Sequence, residues 1–505
     1  MFTEITFNSR ALRRARTFFW MAYARLQAVV VVVDPISTGA LLLEEIASRG
    51  LAVCCLWSKE LRGGRTTSKF LSVEERPTLA ETINELNAAL PAEIAAVVCG
   101  GDDGVHLADA LSNHIGKPNC TRAVCGANRR SKHWQQQVVA AAGLRSCRSA
   151  CGTSWTEEME HMASLASSSE PVVVKLAEGT GSEGVKVCYA ADEARTHFQH
   201  LLHAQRRDQS LAAAVVVQEF LDGDEFVVDT VSFGGAHKVV MLWRYDKRPA
   251  NGSSFVYFGE SPLESSSEEA GLLVPYALAV LDAVGILNGP SHIEIKLTPC
   301  ANADSATVHA GRDLSPCLVE VNLRCHGGSG LWVPLSEALC GGHSQVSVTA
   351  DACLGHCTSF DSLAALPPCP YLSSGAFVCL VSYHGDGEMV TATPGYRTLE
   401  GLESFVRLNP MVGIGDKLYR TVDLFTVVAM VILVHSSPDV VAKDVATIRK
   451  LEEQAGLFET EGEASRGGSC QQNPKPVRVH RRKIAMGTSP KATGRVSDAD
   501  AHHVQ

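Results

Sequence analysis

His292, Glu294 and Lys296 alternate along SHIEIKL (291–297), so their side chains share one face of a strand. Glu320, Asn322 and Arg324 repeat the pattern along CLVEVNLR (317–324). Six polar side chains among apolar neighbours are costly to bury unless something pairs them. Carboxylate and amide oxygens at this spacing suit Mg2+, which takes hard oxygen ligands and shares them with phosphates. A structural cluster of ion pairs is the competing reading. Lys175 ends the apolar run PVVVKL, and the loop Glu178-Gly179-Thr180-Gly181-Ser182-Glu183-Gly184 follows. Such a loop beside a lysine can offer N–H groups and a point charge to a polyphosphate. Glycine-rich hairpins without any ligand are also common, and no GK[ST] is present, so this is not a P-loop. Glu225, taken alone, reads as an exposed loop acid.

These residues need elements to hold them. Gln27–Val33 is an apolar run that ends in DPISTG; a helix-spaced LLLEEIASRG and a second apolar run, LAVCCLWS, follow. Strand, turn, helix, strand is the opening of a parallel α/β sheet. IAAVVCGGDDG (94–104) repeats it, and 105–115 and 131–142 have helical spacing. Residues 171–189 read as a hairpin around the glycine loop. Residues 214–245 continue as antiparallel strands, with WRYDK (243–247) either a substrate loop or a strand with solvated charges. A helix is expected over 268–285, strands over 376–383 and 425–436, and a polar insert over 299–316 between the two polar-faced strands.

The chain has 505 residues and a net charge of −10. Residues 1–27 hold five Arg against one Glu, and 464–505 hold eight Lys/Arg against two Asp, which leaves −20 for 28–463. An acidic body argues against a general nucleic-acid binder, whose affinity comes from cations meeting phosphates. No stretch reads as a membrane span. The 17 Cys are odd in number and contain no CxxC, which fits free thiols in a reducing compartment. Cys353, His356 and Cys357 lack a second ligand pair at finger spacing. The cytoplasm is the expected location, with organellar targeting by the Arg-rich start as the alternative.

Six segments in order now carry a resemblance: VDPISTG (33–39), RRSKHW (129–134), VVVKLAEGTGSEGV (172–185), VVQEFLDGDEFVVDTVS (216–232), GPSHIEIKLT (289–298) and CLVEVNLRCHGGSG (317–330). Over about 28–455 the chain resembles the ATP-grasp superfamily, and within it the L-amino-acid ligases and carnosine synthase-type enzymes. The resemblance implies an α/β (α+β) ATP-grasp fold. Its parts are a basic extension (1–27), an N-terminal parallel-sheet domain (28–125), a small lobe with a phosphate flap (126–210), a large lobe with a Mg2+ site (211–350), a C-terminal α/β lid segment (351–458) and a tail (459–505).

The resemblance also assigns roles. Lys132 and Lys175 match the lysines that hold ATP phosphates, and Gly179, Thr180, Gly181, Ser182 and Gly184 match the flap. Gln218, Glu219, Phe220 and Leu221 match the adenine hinge, partly through backbone, and Glu225 matches the acid that grips the ribose. Glu294, Glu320 and Asn322 match the ligands of Mg2+, with Mn2+ able to substitute. Arg324 would face the transferring phosphate or a substrate carboxylate, and Arg324 with Lys175 would be catalytic. His292, Lys296, His326, Gly327 and Gly328 would line the acceptor pocket. Glu178 and Glu183 are departures that could repel phosphate.

The implied reaction is ATP-dependent joining of a small carboxylate, an amino acid by this resemblance, to an amine through an acyl phosphate, with a homodimer as the common assembly. A nucleotide-binding protein of regulatory or scaffolding role, without ligase activity, is the alternative.

Overall fold

The computed structural model describes residues 28–61, 69–90, 92–116, 129–166, 170–204, 214–299, 307–309, 312–353 and 357–461. The basic start, most of the tail and part of the 299–316 insert lie outside them, as does His356.

β1 (Val29–Val33), β2 (Ala52–Trp57), β3 (Leu71–Glu74) and β4 (Ile94–Cys99) form a parallel sheet in the order β3-β2-β1-β4. Helices cover both faces of such a sheet, so its strands are apolar throughout, and every residue of VVVVV is buried. Helix Thr38–Ser48 leaves the end of β1 pressed against the loop after β4. A Cβ on Gly39 would run into the Gly100 carbonyl, so only glycine permits this approach.

The second sheet is antiparallel, in the order β5-β8-β6-β7, from β5 (Ser149–Gly152), β6 (Val172–Leu176), β7 (Lys186–Cys188) and β8 (Val215–Glu219). Val172, Val174, Val215 and Val217 pack under helices Glu157–Ser164 and Ala191–His203. The strand period of two therefore turns Val173, Lys175 and Gln218 the other way.

The third sheet has nine strands in the order β13-β14-β12-β9-β10-β11-β15-β19-β17. These are β9 (Glu225–Phe233), β10 (Ala236–Ala250), β11 (Ser253–Pro262), β12 (Gly289–Pro299), β13 (Thr307–His309), β14 (Arg312–Asn322), β15 (Ser374–Leu380), β17 (Phe405–Pro410) and β19 (Ala429–His435). β16 (Asp386–Ala392), β18 (Lys417–Tyr419) and β20 (Glu459–Thr460) make a small flanking sheet. One apolar cluster contains Val29, Val31 and Val33 of the parallel sheet together with Ile293, Ile295 and Leu318 of the nine-stranded one.

Four expectations change. β8 and β9, read as one run of strands, belong to different sheets. The 299–316 insert is not all loop: β12 and β14 extend into it and pair as far as Pro299 with Leu314, and β13 adds to β14. The strand read over 425–436 begins only at Ala429. The 351–458 segment, expected as an α/β lid, contributes β15, β19 and β17 to the nine-stranded sheet. Among the described residues, no helix is long and apolar enough to cross a membrane. The cysteines whose side chains are described are free thiols, most of them buried.

Because Gly39 sits where two backbones touch, Gly39→Val should destabilise the protein by about 1–3 kcal/mol, the usual cost of overpacking. Thermal and urea unfolding will show it; an unchanged midpoint would mean that the helix can shift away from Gly100 at no cost.

Candidate active site

The cleft-facing side of β6 and β8 and the polar face of β12 and β14 line an open cavity. Lys132, Lys175, Gly179, Gly181, Ser182, Gln218, Phe220, Leu221, Glu225, Glu294, Lys296 and Glu320 all line it. Its position is a consequence of strand register. His292 lies opposite Asn322 and Glu294 opposite Glu320, then a bulge shifts the register so that Lys296 lies opposite Cys317. Val319, which has no partner of its own across the shift, also lines the cavity.

Lys132 is the first residue of helix Lys132–Ala141, whose N-cap Ser131 accepts from the Trp134 N–H at 3.3 Å. Its ammonium donates to the Gly179 carbonyl at 2.6 Å and pairs with Glu320 at 2.7 Å. Lys175 is buried nearby; burial first, then the Lys132 charge, pulls its pKa below the ordinary lysine value. The loop from Gly179 to Gly184 has φ of 63° at Gly181, 62° at Ser182 and 70° at Gly184. Glu178 turns away from the cavity toward Arg130, at 3.8 Å, which offsets the repulsion its charge would cause. Thr180 and Asn322 line a second cavity rather than this one.

The hinge side chains divide. Gln218, Phe220 and Leu221 line the cavity, whereas the Glu219 carboxylate pairs with Arg145 at 2.8 Å and Arg148 at 2.7 Å. Lys296 donates to the Leu221 carbonyl at 3.2 Å. Glu225 and Glu294 are bridged by Lys247, which pairs with Glu225 and, at 3.3 Å, with Glu294. Burial opposes the charge of Lys247, but the two carboxylates outweigh it and hold the ammonium well above the usual range. Its Nζ also sits 4.3 Å from the Tyr245 ring centre and 4.4 Å from that of Tyr257. WRYDK is thus a strand segment of β10. It is neither a substrate loop nor a strand with only solvated charges, because Lys247 is buried in the site.

The donors fit a hard divalent cation. Glu294 and Glu320 present carboxylates from one rung of the ladder, and the Asn322 amide lies 3.1 Å from Glu320. Each carboxylate is neutralised by a lysine, Glu320 by Lys132 and Glu294 by Lys247. Burial works to raise the Glu294 carboxyl, but Lys247 and the hydrogen-bonded His292 together hold it well below the ordinary range.

The second cavity adjoins the first and shares Lys132, Gly179 and Glu320 with it. Asp102, Arg129, Arg130, Glu178 and Asn322 line it as well, so three acids face three bases. Arg324 is gripped by Asp102 through two 3.0 Å contacts. Burial opposes its charge, and Asp102 more than compensates.

His292 and His326 depart from their expected place. Neither lines the cavity; both sit beneath it around Asp229. Asp229 accepts from His292 Nδ1 and His326 Nδ1, each at 2.8 Å, and from Trp243 Nε1 at 2.7 Å. His326 reaches Glu260 through Nε2 at 3.2 Å. Polar atoms of Asp229, His292 and His326 come within 4.8 Å of one another, but their pairings are those of hydrogen bonds. Gly327 gives its carbonyl to Thr38 at 2.9 Å and Trp332 at 2.8 Å, and Gly328 also lies outside both cavity linings. Sequence reasoning placed Lys247 only within a candidate substrate loop and missed Asp102 and Asp229. An aspartate inside the apolar run EFVVDTVS, and a GGDDG after a parallel strand, were the available signals.

Residues 130–257 match the model of the phosphoribosylglycinamide synthetase ATP-grasp (A) domain. Dapdiamide A synthase of Enterobacter agglomerans is 28% identical over 382 residues, 73% of this chain and 81% of that one. The solved L-amino acid ligase from Bacillus licheniformis superposes with a TM-score of 0.64 at 16% identity, covering 85% of this chain and 98% of that one. The chain is thus similar to ATP-grasp proteins, with dapdiamide A synthase and an L-amino acid ligase among them. Carnosine synthase 1 of Gallus gallus is 27% identical over 256 residues, 48% of this chain but 24% of that enzyme. The stretch of this chain that matches the ATP-grasp domain model runs from Arg130 through the 179–184 loop and residues 218–221 to Tyr257, which lines the cavity.

The buried charge of His326 has a pH signature. Burial disfavours the imidazolium, but Glu260 and Asp229 outweigh it and raise the pKa from 6.5 to about 10. A group raised on folding stabilises fully below its unfolded value and loses that contribution as pH climbs to the folded one. The stability advantage of the native protein over His326→Gln should therefore shrink between pH 6.5 and about 10. Urea unfolding across that range measures it, and a constant difference would mean that His326 is neutral in the fold.

Proposed function

We propose that this chain spends ATP to activate the carboxylate of an amino acid as an acyl phosphate and transfers the acyl group to an amine, releasing ADP and phosphate. The observation that carries the reading is the pair of adjoining cavities with Lys132, Gly179 and Glu320 as their common wall. The larger one has apolar walls from Val173, Leu176, Phe220 and Leu221 and a buried acid at Glu225, which suits a nucleoside. The smaller one has balanced charges, which suits a zwitterion such as an amino acid.

The reaction needs two anions to approach, a carboxylate and the γ-phosphate. Lys132 and Lys175 set positive charge at the wall, and the 179–184 loop adds N–H donors over the phosphates. Glu225 is placed for the ribose hydroxyls, and the 219–221 backbone for adenine. Glu294, Glu320 and Asn322 are the residues that would hold Mg2+, which supplies charge neutralisation at phosphate oxygens when bound. Arg324 lines neither cavity, but Asp102, which grips it, lines the smaller one, and in this reading Arg324 serves a substrate carboxylate or the transferring phosphate from behind that acid. The Gly179–Gly184 loop also shuts out water, which would otherwise hydrolyse the acyl phosphate. Holding both substrates against one wall supplies much of the rate through positioning. The cytoplasm, or an organelle as the alternative, is the proposed setting and a homodimer the proposed assembly, and the free thiols agree with a reducing compartment.

The test is a screen of amino-acid pairs for ADP release with Mg2+, run on the native chain and on Glu320→Gln. The native chain should release ADP with at least one pair. Glu320→Gln should lower that rate by about a hundredfold or more while keeping the native circular dichroism spectrum. Tight ATP binding with no ADP from any pair would instead support a nucleotide-binding role, and normal turnover by Glu320→Gln would remove the metal assignment.

A further inference from the structure

The phosphate flap is held down by a residue far away in sequence. Gly181, at the flap tip, lies so close to the ring of Phe425 that a Cβ there would sit 2.6 Å from Cε2 and 2.7 Å from Cζ. Gly181 is therefore required twice, once for its φ of 63° and once for the aromatic edge against it. On its other side the flap hydrogen-bonds through the Ser182 side chain to Tyr257, a residue of β11.

Phe425 is not on a loose loop. Its N–H donates to Asp423 Oδ1 at 3.0 Å, and the Thr426 hydroxyl bonds the same oxygen at 2.9 Å. The Thr426 hydroxyl also accepts from the N–H groups of Val422 and Asp423. The turn is then tied to the sheet. Buried Thr421 bonds the Thr426 carbonyl at 3.0 Å and accepts from the Ser382 N–H at 2.9 Å. Asn251, at the tip of the β10–β11 hairpin, donates to the carbonyls of Ser382 and Thr421 at 2.9 and 2.8 Å. That hairpin also carries Lys247 and Tyr257. One hydrogen-bonded unit thus carries the aromatic ring that meets Gly181 and, at the cavity wall, Tyr257 and Lys247.

We propose that Phe425 is a positioning residue: a rigid strut against which the flap closes on the ATP phosphates. The inference rests on the ATP-binding role of the cavity. A ring edge against a glycine gives a close, dry contact that costs the flap no side-chain entropy, whereas an aliphatic or polar residue would leave a gap for water. Phe425 touches the flap and acts on ATP only through it.

The test uses full-length protein with MgATP and MgADP as probes, comparing the native chain with Phe425→Ala, Phe425→Leu and Asp423→Ala. Binding is read by titration calorimetry. Flap exposure is read by cleavage after Glu178 or Glu183 with a glutamate-specific protease. Phe425→Ala should weaken MgATP binding by about tenfold, the scale of one lost aromatic contact. It should also speed flap cleavage in the nucleotide-bound state, with Phe425→Leu between the two. Asp423→Ala, which leaves the ring but loosens the turn, should move both readouts in the same direction. Unchanged binding and cleavage in a folded Phe425→Ala would overturn the strut. Failure of the native chain to bind MgATP at all would instead strike at the nucleotide cavity itself.

Discussion

Two carboxylates stand opposite each other on one rung of an antiparallel ladder. Glu294 and Glu320 are neighbours across β12 and β14, where like charges repel and water is scarce. Left alone, the pair would drive one residue to protonate or the strands to part. Lys132 answers Glu320 from the first turn of a helix, and Lys247 answers Glu294 from two strands away. These two ion pairs tie the helix that borders the flap, the hairpin that carries Tyr257 and the polar face of the sheet to one point. Glu294, Glu320 and Asn322 are the residues that would hold a divalent cation, which would supply positive charge beside the same two lysines. The neutralisation that makes the acids tolerable without a metal is the same charge that ATP needs.

Beneath the rung lies a second charged layer that faces no cavity. Asp229 collects three N–H donors, and His326 lies between Asp229 and Glu260. His292 then touches Glu294 at 3.3 Å from below. Buried networks of this kind are costly when half satisfied and rigid when complete. Here the donors on Asp229 are complete, so the strand carrying Glu294 has little freedom to twist. The smaller cavity borrows its stiffness from the parallel sheet instead, through Asp102 on Arg324 and Arg129 on Asp109.

Period-two patterning made the polar faces of β12 and β14 legible, because alternation within one strand is a local property. The parallel sheet was legible for a similar reason: a strand buried on both faces is apolar at every position. What stayed hidden was partnership at long range. Nothing near His292 or His326 announces that both will bond Asp229, 63 and 97 positions away. Both therefore read as pocket residues, although burial turns them into supports. The step from β8 to β9 was hidden for a different reason. The link LDGD has the composition of a hairpin turn, and only the sheet that each strand joins separates a hinge from a hairpin.

The acids on the flap show how a local charge can mislead. Glu178 looked like an obstacle to phosphate because it adjoins the glycine loop. Arg130 stands two residues before Lys132, and the same helix start that delivers the lysine to Glu320 turns the arginine onto Glu178 and Asp103. The flap's acid therefore serves as an anchor for its own base, and its charge is spent before phosphate arrives. The net −20 of the body is a sum over such pairs as well as over the solvated surface. What an incoming ATP meets is set by which side chains remain uncompensated at the cavity wall. There the buried Lys175, whose charge burial makes costly, gains most from a phosphate at its side.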